Sequence, residues 1–140
     1  MNVSRKVTTY FKAAEAVSRL SDHRCQIGCV VVDGHRIISS GHNSKTRTHA
    51  FQAKLDKKFF GCECAGLVHA ETAALIPLIN SKQDLSRAVI YVFRRNRNGD
   101  IALSRPCPRC MSVIKSCGIK EVRYTTPTGY ANEYITEVTV

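Results

Sequence analysis

Two short segments do more than any other feature to limit what this chain can fold into. His69-Ala70-Glu71 opens one helical pattern, and Pro106-Cys107-Pro108-Arg109-Cys110 opens another much further along. Cysteines three apart at a helix start project their thiols to one side, about one turn apart. The partial positive charge of a helix N-terminus favours the thiolate form there. Alone, a C-x-x-C suits a redox pair or a structural metal site, and a lone His-Ala-Glu says almost nothing. Together they offer an imidazole and two thiolates, three ligands of a tetrahedral metal whose fourth corner stays open for water. A fold that uses both must bring two helix starts side by side.

The pattern along the chain supplies elements that can do this. Val7, Tyr10, Phe11, Ala14, Val17 and Leu20 recur at helical spacing and predict an amphipathic helix from about residue 4 to 20. Ile27, Cys29, Val30, Val31 and Val32 form a β-branched run, and Asp33-Gly34 separates it from Arg36-Ile37-Ile38-Ser39-Ser40. Asp-Gly between two such runs predicts a hairpin, with both central turn residues at positive φ. Residues 42 to 66 are polar and rich in Cys and Lys without a clear period, which predicts a long irregular loop. HAETAALIPLIN (69 to 80) reads as a helix that Pro77 threatens to kink, and AVIYVF (88 to 93) reads as a strand. Pro106 suits the first turn of a helix running to Cys117 and closed by Gly118, and Val122 to Thr125 is a further strand. The tail to Val140 carries no assignable pattern.

The order α, β, β, α, β, α, β predicts a three-layer α/β/α domain with a mixed central sheet whose opening pair is antiparallel. Without repeats, low-complexity stretches or linkers, residues 1–140 read as a single domain. At 44% hydrophobic and 23% charged the composition is that of an ordinary globular protein, and no apolar run approaches a membrane span. The N-terminus lacks a secretory apolar core, so the expected compartment is the cytoplasm. Seven cysteines, an odd number without an export signal, point away from a disulfide framework and towards metal binding, catalysis or core packing. The net charge of +10 favours anionic partners, a nucleotide or a polynucleotide, or else a solvated basic surface.

His-x-Glu followed by Pro-Cys-x-x-Cys is the signature of zinc-dependent nucleobase deaminases. On that reading His69, Cys107 and Cys110 hold one catalytic Zn2+, which lowers the pKa of a bound water to about 7. Glu71 takes the water's proton, passes it to the ring nitrogen beside the attacked carbon, and later protonates the departing amine. From about residue 25 to 125 the chain resembles the cytidine and deoxycytidylate deaminase superfamily, on Gly41-His42-Asn43, His69-Ala70-Glu71 and Ser104-Arg105-Pro106-Cys107-Pro108-Arg109-Cys110. The Gly-His-Asn-Ser-Lys-Thr and Ser-Arg-Pro-Cys-Pro stretches look most like phage-type or bacterial deoxycytidylate deaminase-like proteins. The resemblance implies the same ligands and proton shuttle, an Ala70 N–H on the base carbonyl, Asn43 on the sugar, and a homo-oligomer. Relatives under nucleotide feedback follow that Asn with Gly; Ser44 stands here, so control by dCTP or dTTP does not carry over.

The expected reaction is hydrolytic deamination of a cytosine nucleotide, dCMP to dUMP with release of ammonia. The alternatives are a polynucleotide deaminase acting on tRNA adenosine or single-stranded cytosine, and a non-catalytic zinc-binding nucleic-acid module. Lys45, Thr46, Arg47 and His49 could grip a 5′-phosphate or form a solvated basic loop, and Arg105, Arg94 and Arg95 are further candidates. Asn43 at a strand end also suits a turn. Tyr91 and Phe93 share one face of a strand and belong to the core rather than to a base-stacking platform. Cys62 and Cys64, with Cys25 or His49, form either a second, structural zinc site or free thiols; Cys29 and Cys117 read as small core residues.

Overall fold

The computed structural model describes residues 5–60 and 67–135. Helix α1 spans Arg5–Ser18, strands β1 Gln26–Asp33 and β2 Arg36–His42, helices α2 Ala50–Phe60 and α3 Ala70–Asn80, strand β3 Ala88–Arg95, helix α4 Pro108–Ser116, and strands β4 Glu121–Thr126 and β5 Gly129–Tyr134. The strands form one sheet in the order β2-β1-β3-β4-β5. Only β3 and β4 run parallel; the other three pairings are antiparallel. A crossover through α4 joins the parallel pair, as such a connection requires.

Each central strand sends alternate side chains to opposite layers. Val30 and Val32 of β1 and Tyr91 and Phe93 of β3 meet Phe11 and Ala14 of α1. Cys29 and Val31, with Ile90 and Val92, meet Ala70, Ala74, Leu75 and Leu78 of α3 and Val113 and Ile114 of α4. The expected three-layer α/β/α arrangement with a mixed sheet is therefore the observed one. Tyr91 and Phe93 are core residues, with Tyr91 edge-on to Phe11 at a centroid distance of 5.3 Å.

Two glycines let the helices come close. A Cβ on Gly28 would lie 2.1 Å from the Ala14 carbonyl oxygen of α1. One on Gly41 would lie 2.5 Å from both the Ala70 carbonyl oxygen and the Ala74 nitrogen of α3. Gly41 thus explains one residue of the Gly-His-Asn segment by backbone contact rather than chemistry.

Four expectations need correction. The segment read as an irregular loop contains α2, whose apolar spacing is weak because its buried face is mixed: polar Gln52 and Asp56 are buried there beside Leu55. The tail read as patternless holds β5, an edge strand paired to β4 along its whole length. In the hairpin Asp33 pairs with Arg36, so Gly34-His35 are the central residues and only Gly34 has positive φ, +65°. A glycine first in a two-residue turn fits the type II′ form, which needs positive φ once. Finally, the helix after the cysteine motif starts at Pro108, with Cys107 as its N-cap, rather than at Pro106. Pro77 stands inside α3, which nonetheless runs on to Asn80, and Gly118 closes α4 at φ +85°.

Candidate active site

His69 and Cys107 occupy the same structural position. Each is the extended residue just before a helix, at φ −82°, ψ 158° and φ −66°, ψ 165° respectively, and neither side chain caps its own helix. Both are left free to point across the gap between α3 and α4. Cys110 follows in the first turn of α4 and is wholly buried. His69 Nδ1 lies 3.8 Å from Cys107 Sγ and 3.4 Å from Cys110 Sγ, and all three donor atoms fall within 4.8 Å of one another. A tetrahedral zinc with bonds of about 2.0–2.1 Å to nitrogen and 2.3 Å to sulfur would hold N and S about 3.5 Å apart. The donor set therefore fits zinc in both chemistry and spacing.

The electrostatics suit a cation. A hydrogen bond from the Cys110 side chain, aided by His69, lowers the Cys107 thiol to about 3 against the opposing effect of burial. Cys110 is shifted the other way, well above the ordinary thiol range, by that same contact and by burial. One thiolate is thus ready-made, and the second forms when a cation replaces its proton. His69 is raised above the usual imidazole range by its bond to Cys107, against the opposing pull of burial.

Glu71, the second residue of α3, is buried with 5% of its surface exposed. Burial raises its carboxyl, partly offset by the attraction of His69. Beneath it Cys29 is fully buried, its thiol pushed up by burial and by the Glu71 charge. A carboxyl held out of water beside a cation site is the usual setting of a tuned proton-transfer group.

These groups open into a cavity of about 460 Å³ lined by His69, Ala70, Glu71 and Cys107 together with Asn43, Ser44, Arg24, Arg94 and Arg105. Asn43 reaches the cavity wall while its side chain ties the wall together. Its Oδ1 accepts from Ser21 Oγ at 2.6 Å and from the Ile27 N–H at 3.0 Å, and its Nδ2 donates to the Cys25 carbonyl at 2.8 Å. Ala70 is the first residue of α3, where N–H groups lack an intrahelical partner by geometry. Arg105 stands at the rim and makes a two-pronged ion pair with Glu133, both contacts 2.8 Å.

Lys45 and Thr46 are not brought to the cavity. The Lys45 N–H donates to Asp22 Oδ1 at 2.9 Å and Thr46 Oγ1 to Asp22 Oδ2 at 3.3 Å, so this turn faces Asp22. His49 accepts the Phe51 N–H at the start of α2. Cys25 lines the same cavity as His69 and Glu71, and Cys62 and Cys64 lie outside the described residues. Among the described residues, His69, Cys107 and Cys110 are the one group at metal-holding distance. Sequence reasoning passed over His23 and Arg24, which also line the cavity. They sit in a short aperiodic link between α1 and β1, where no local signal marks function.

Known proteins agree with this geometry. Residues 4–126 match the model of the cytidine and deoxycytidylate deaminase zinc-binding region. Over 124 residues the chain is 28% identical to the deoxycytidylate deaminase of Mycobacterium phage D29, covering 80% of this chain and 87% of that one. The apo dCMP deaminase of cyanophage S-TIM5 superposes with a TM-score of 0.62 at 24% identity, covering 89% of this chain and 86% of the other. A cytidine deaminase from Burkholderia pseudomallei superposes at 0.65 with 17% identity, over 94% and 93% of the two chains. The paired helix starts and their His, Cys and Cys donors define a zinc-site α/β protein. More narrowly, the chain belongs to the cytidine and deoxycytidylate deaminase family. No helix among the described residues is long and apolar enough to cross a membrane.

Proposed function

We propose that this protein is a zinc-dependent hydrolytic deaminase of a free cytosine nucleotide, converting dCMP to dUMP with release of ammonia. The observation that carries the proposal is the composition of the cavity: one buried carboxyl, Glu71, beside three metal-ligating groups, facing Arg24, Arg94 and Arg105. The phage relative is a deoxycytidylate deaminase, and the cyanophage neighbour was crystallised with dCMP and dUMP. Both support a monophosphate as substrate.

His69, Cys107 and Cys110 would hold the zinc, which supplies a water of lowered pKa at the open corner. Glu71 does the proton work. Its carboxylate accepts a proton from the attacking water and places it on N3 of the pyrimidine, then takes the hydroxyl proton from the oxygen now on C4 and gives it to the exocyclic N4. The water oxygen ends on C4, the C4–N4 bond breaks, and ammonia departs. The Ala70 N–H orients the base through its carbonyl, and Asn43 fixes the wall that receives the sugar. Arg24 and Arg94 at the mouth meet the 5′-phosphate.

Purified protein incubated with dCMP, dCTP, deoxycytidine and tRNA, scored for ammonia release, tests the reading. dCMP turns over fastest if it is right. Release from tRNA with none from dCMP would move the assignment to a polynucleotide deaminase, which the net charge of +10 also suits. Arg24→Ala and Arg94→Ala should raise KM for dCMP and leave that for deoxycytidine unchanged.

A further inference from the structure

Next to the metal-ligating groups, among residues that do not line the cavity, lies a buried polar chain that the proposed reaction does not use. Gln52 and Asp56 sit one turn apart on α2, exposed by 0% and 3%. Gln52 Oε1 accepts from Thr72 Oγ1 at 2.6 Å and from the backbone N–H of His69 at 3.4 Å. Gln52 Nε2 donates to Asp56 Oδ1 at 3.0 Å, and the same oxygen takes Arg109 Nη1 in an ion pair. Arg109 stands between Cys107 and Cys110, and its guanidinium also interacts with the Cys107 sulfur. The chain runs without a break from the backbone of one metal-ligating residue to the residue between the other two.

Such a row of buried polar groups is costly unless every member is satisfied. Apolar side chains in the same space would join α2 to the core at lower risk. Its direction is also specific. Thr72 and the His69 N–H belong to the start of α3, Arg109 to the start of α4, and α2 makes polar contact with both through one glutamine and one aspartate. α3 and α4 have no covalent reason to keep their starts in register, since β3 and a long connection separate them.

We propose that Gln52, Asp56 and Arg109 form a positioning clamp that sets the distance between the two helix starts and so preorganises the His69, Cys107 and Cys110 donors for zinc. The clamp touches no substrate. It acts through the ligands, as outer partners of a metal site do, where their loss costs roughly tenfold to hundredfold in metal affinity or activity. This inference rests on the zinc site and not on the choice of substrate.

Its test reads zinc rather than turnover. Zinc affinity is measured by chelator competition for the unsubstituted protein and for Asp56→Ala, Arg109→Met, the double variant and Lys115→Ala, an α4 control outside the network. The thermal midpoint is followed with and without zinc. Asp56→Ala and Arg109→Met should each bind zinc about tenfold to hundredfold more weakly. The double variant should be no worse than the weaker single, because both break one chain. Arg109→Lys should recover part of the loss, and Lys115→Ala should match the unsubstituted protein. The rise in thermal midpoint on adding zinc should shrink in the clamp variants. Unchanged affinity with a midpoint lowered equally in both states would show that the network is merely structural and would overturn the proposal. If Asp56→Ala fails to fold, Asp56→Asn decides the question, since it is isosteric, still accepts from Gln52 and leaves only the partly exposed Arg109 without its counter-charge. A failure of dCMP turnover in the unsubstituted protein would defeat the substrate assignment and leave these zinc measurements intact.

Discussion

The two faces of the sheet differ sharply in what they bury. Under α1 the interior is apolar and aromatic: Phe11, Ala14, Val30, Val32, Tyr91 and Phe93, with Phe11 stacked on Tyr130 at 4.0 Å. Under α2, α3 and α4 it is mixed, because Gln52, Asp56, Glu71 and Thr72 are buried beside Ala70, Leu75 and Ile114. One face is built for cohesion. The other accepts the desolvation of several polar groups and so holds the His69, Cys107 and Cys110 donors and the buried Glu71 carboxyl in place. The difference teaches that stability and chemistry in this protein can be perturbed separately.

Glu71→Ala should produce the largest effect, on the mixed face. Turnover should fall by roughly 10²–10⁴-fold, the usual contribution of a placed general acid–base, with zinc content and thermal midpoint retained. Metal analysis beside steady-state kinetics checks this; a variant that keeps activity would refute the assigned role. Cys107→Ala and Cys110→Ala should differ in kind, losing the metal along with turnover.

Phe11→Ala tests the other face. Deleting a fully buried aromatic costs about 3–5 kcal/mol, and denaturant unfolding should show it while kcat per folded molecule stays the same. A drop in kcat would mean that the two faces are coupled after all.

The paired glycines sharpen the contrast at smaller cost. Gly28→Ala and Gly41→Ala each press a methyl into helix backbone, an overpacking worth about 1–3 kcal/mol in unfolding measurements. Only Gly41→Ala pushes on α3, the helix that carries Glu71, so it alone should also weaken zinc binding.

The smallest effect is expected at the rim. Arg105 holds the Glu133 carboxyl below its ordinary value. A carboxyl lowered on folding stabilises the native state above its unfolded pKa and loses that contribution as pH falls through the folded one. The pair is solvent-screened, so its worth is about 0–1 kcal/mol. Urea unfolding of Glu133→Gln against the unsubstituted protein should therefore differ slightly at neutral pH and converge in acid.

Much of the α1 face and of the metal-holding group was legible from residue order. Helical spacing marks α1, β-branched runs mark β1 and β3, and His-x-Glu with Pro-Cys-x-x-Cys marks the ligands because each motif is local and opens a helix. What stayed hidden was long-range. The buried face of α2 sets Gln52 and Asp56 beside Leu55, so hydrophobic periodicity is too weak there to mark a helix. β5 is an edge strand with one partner, and its sequence needs little apolar alternation. His23 and Arg24 line the cavity only because the α1–β1 link passes over it. Lys45 and Thr46 carry the right chemistry for a phosphate, yet Asp22 engages their turn.

Residue order by itself marked α1, α3, α4 and strands β1 to β4, and picked out His69, Cys107 and Cys110, which the structure brings to metal-holding distance, since each signal depends on neighbours within a turn or on a single strand. Tertiary structure alone decided the spacing of the two helix starts, which cations reach the cavity, and the polar chain joining α2 to both. Those depend on contacts between residues far apart in the chain, where distance is set by packing and no local preference can encode it.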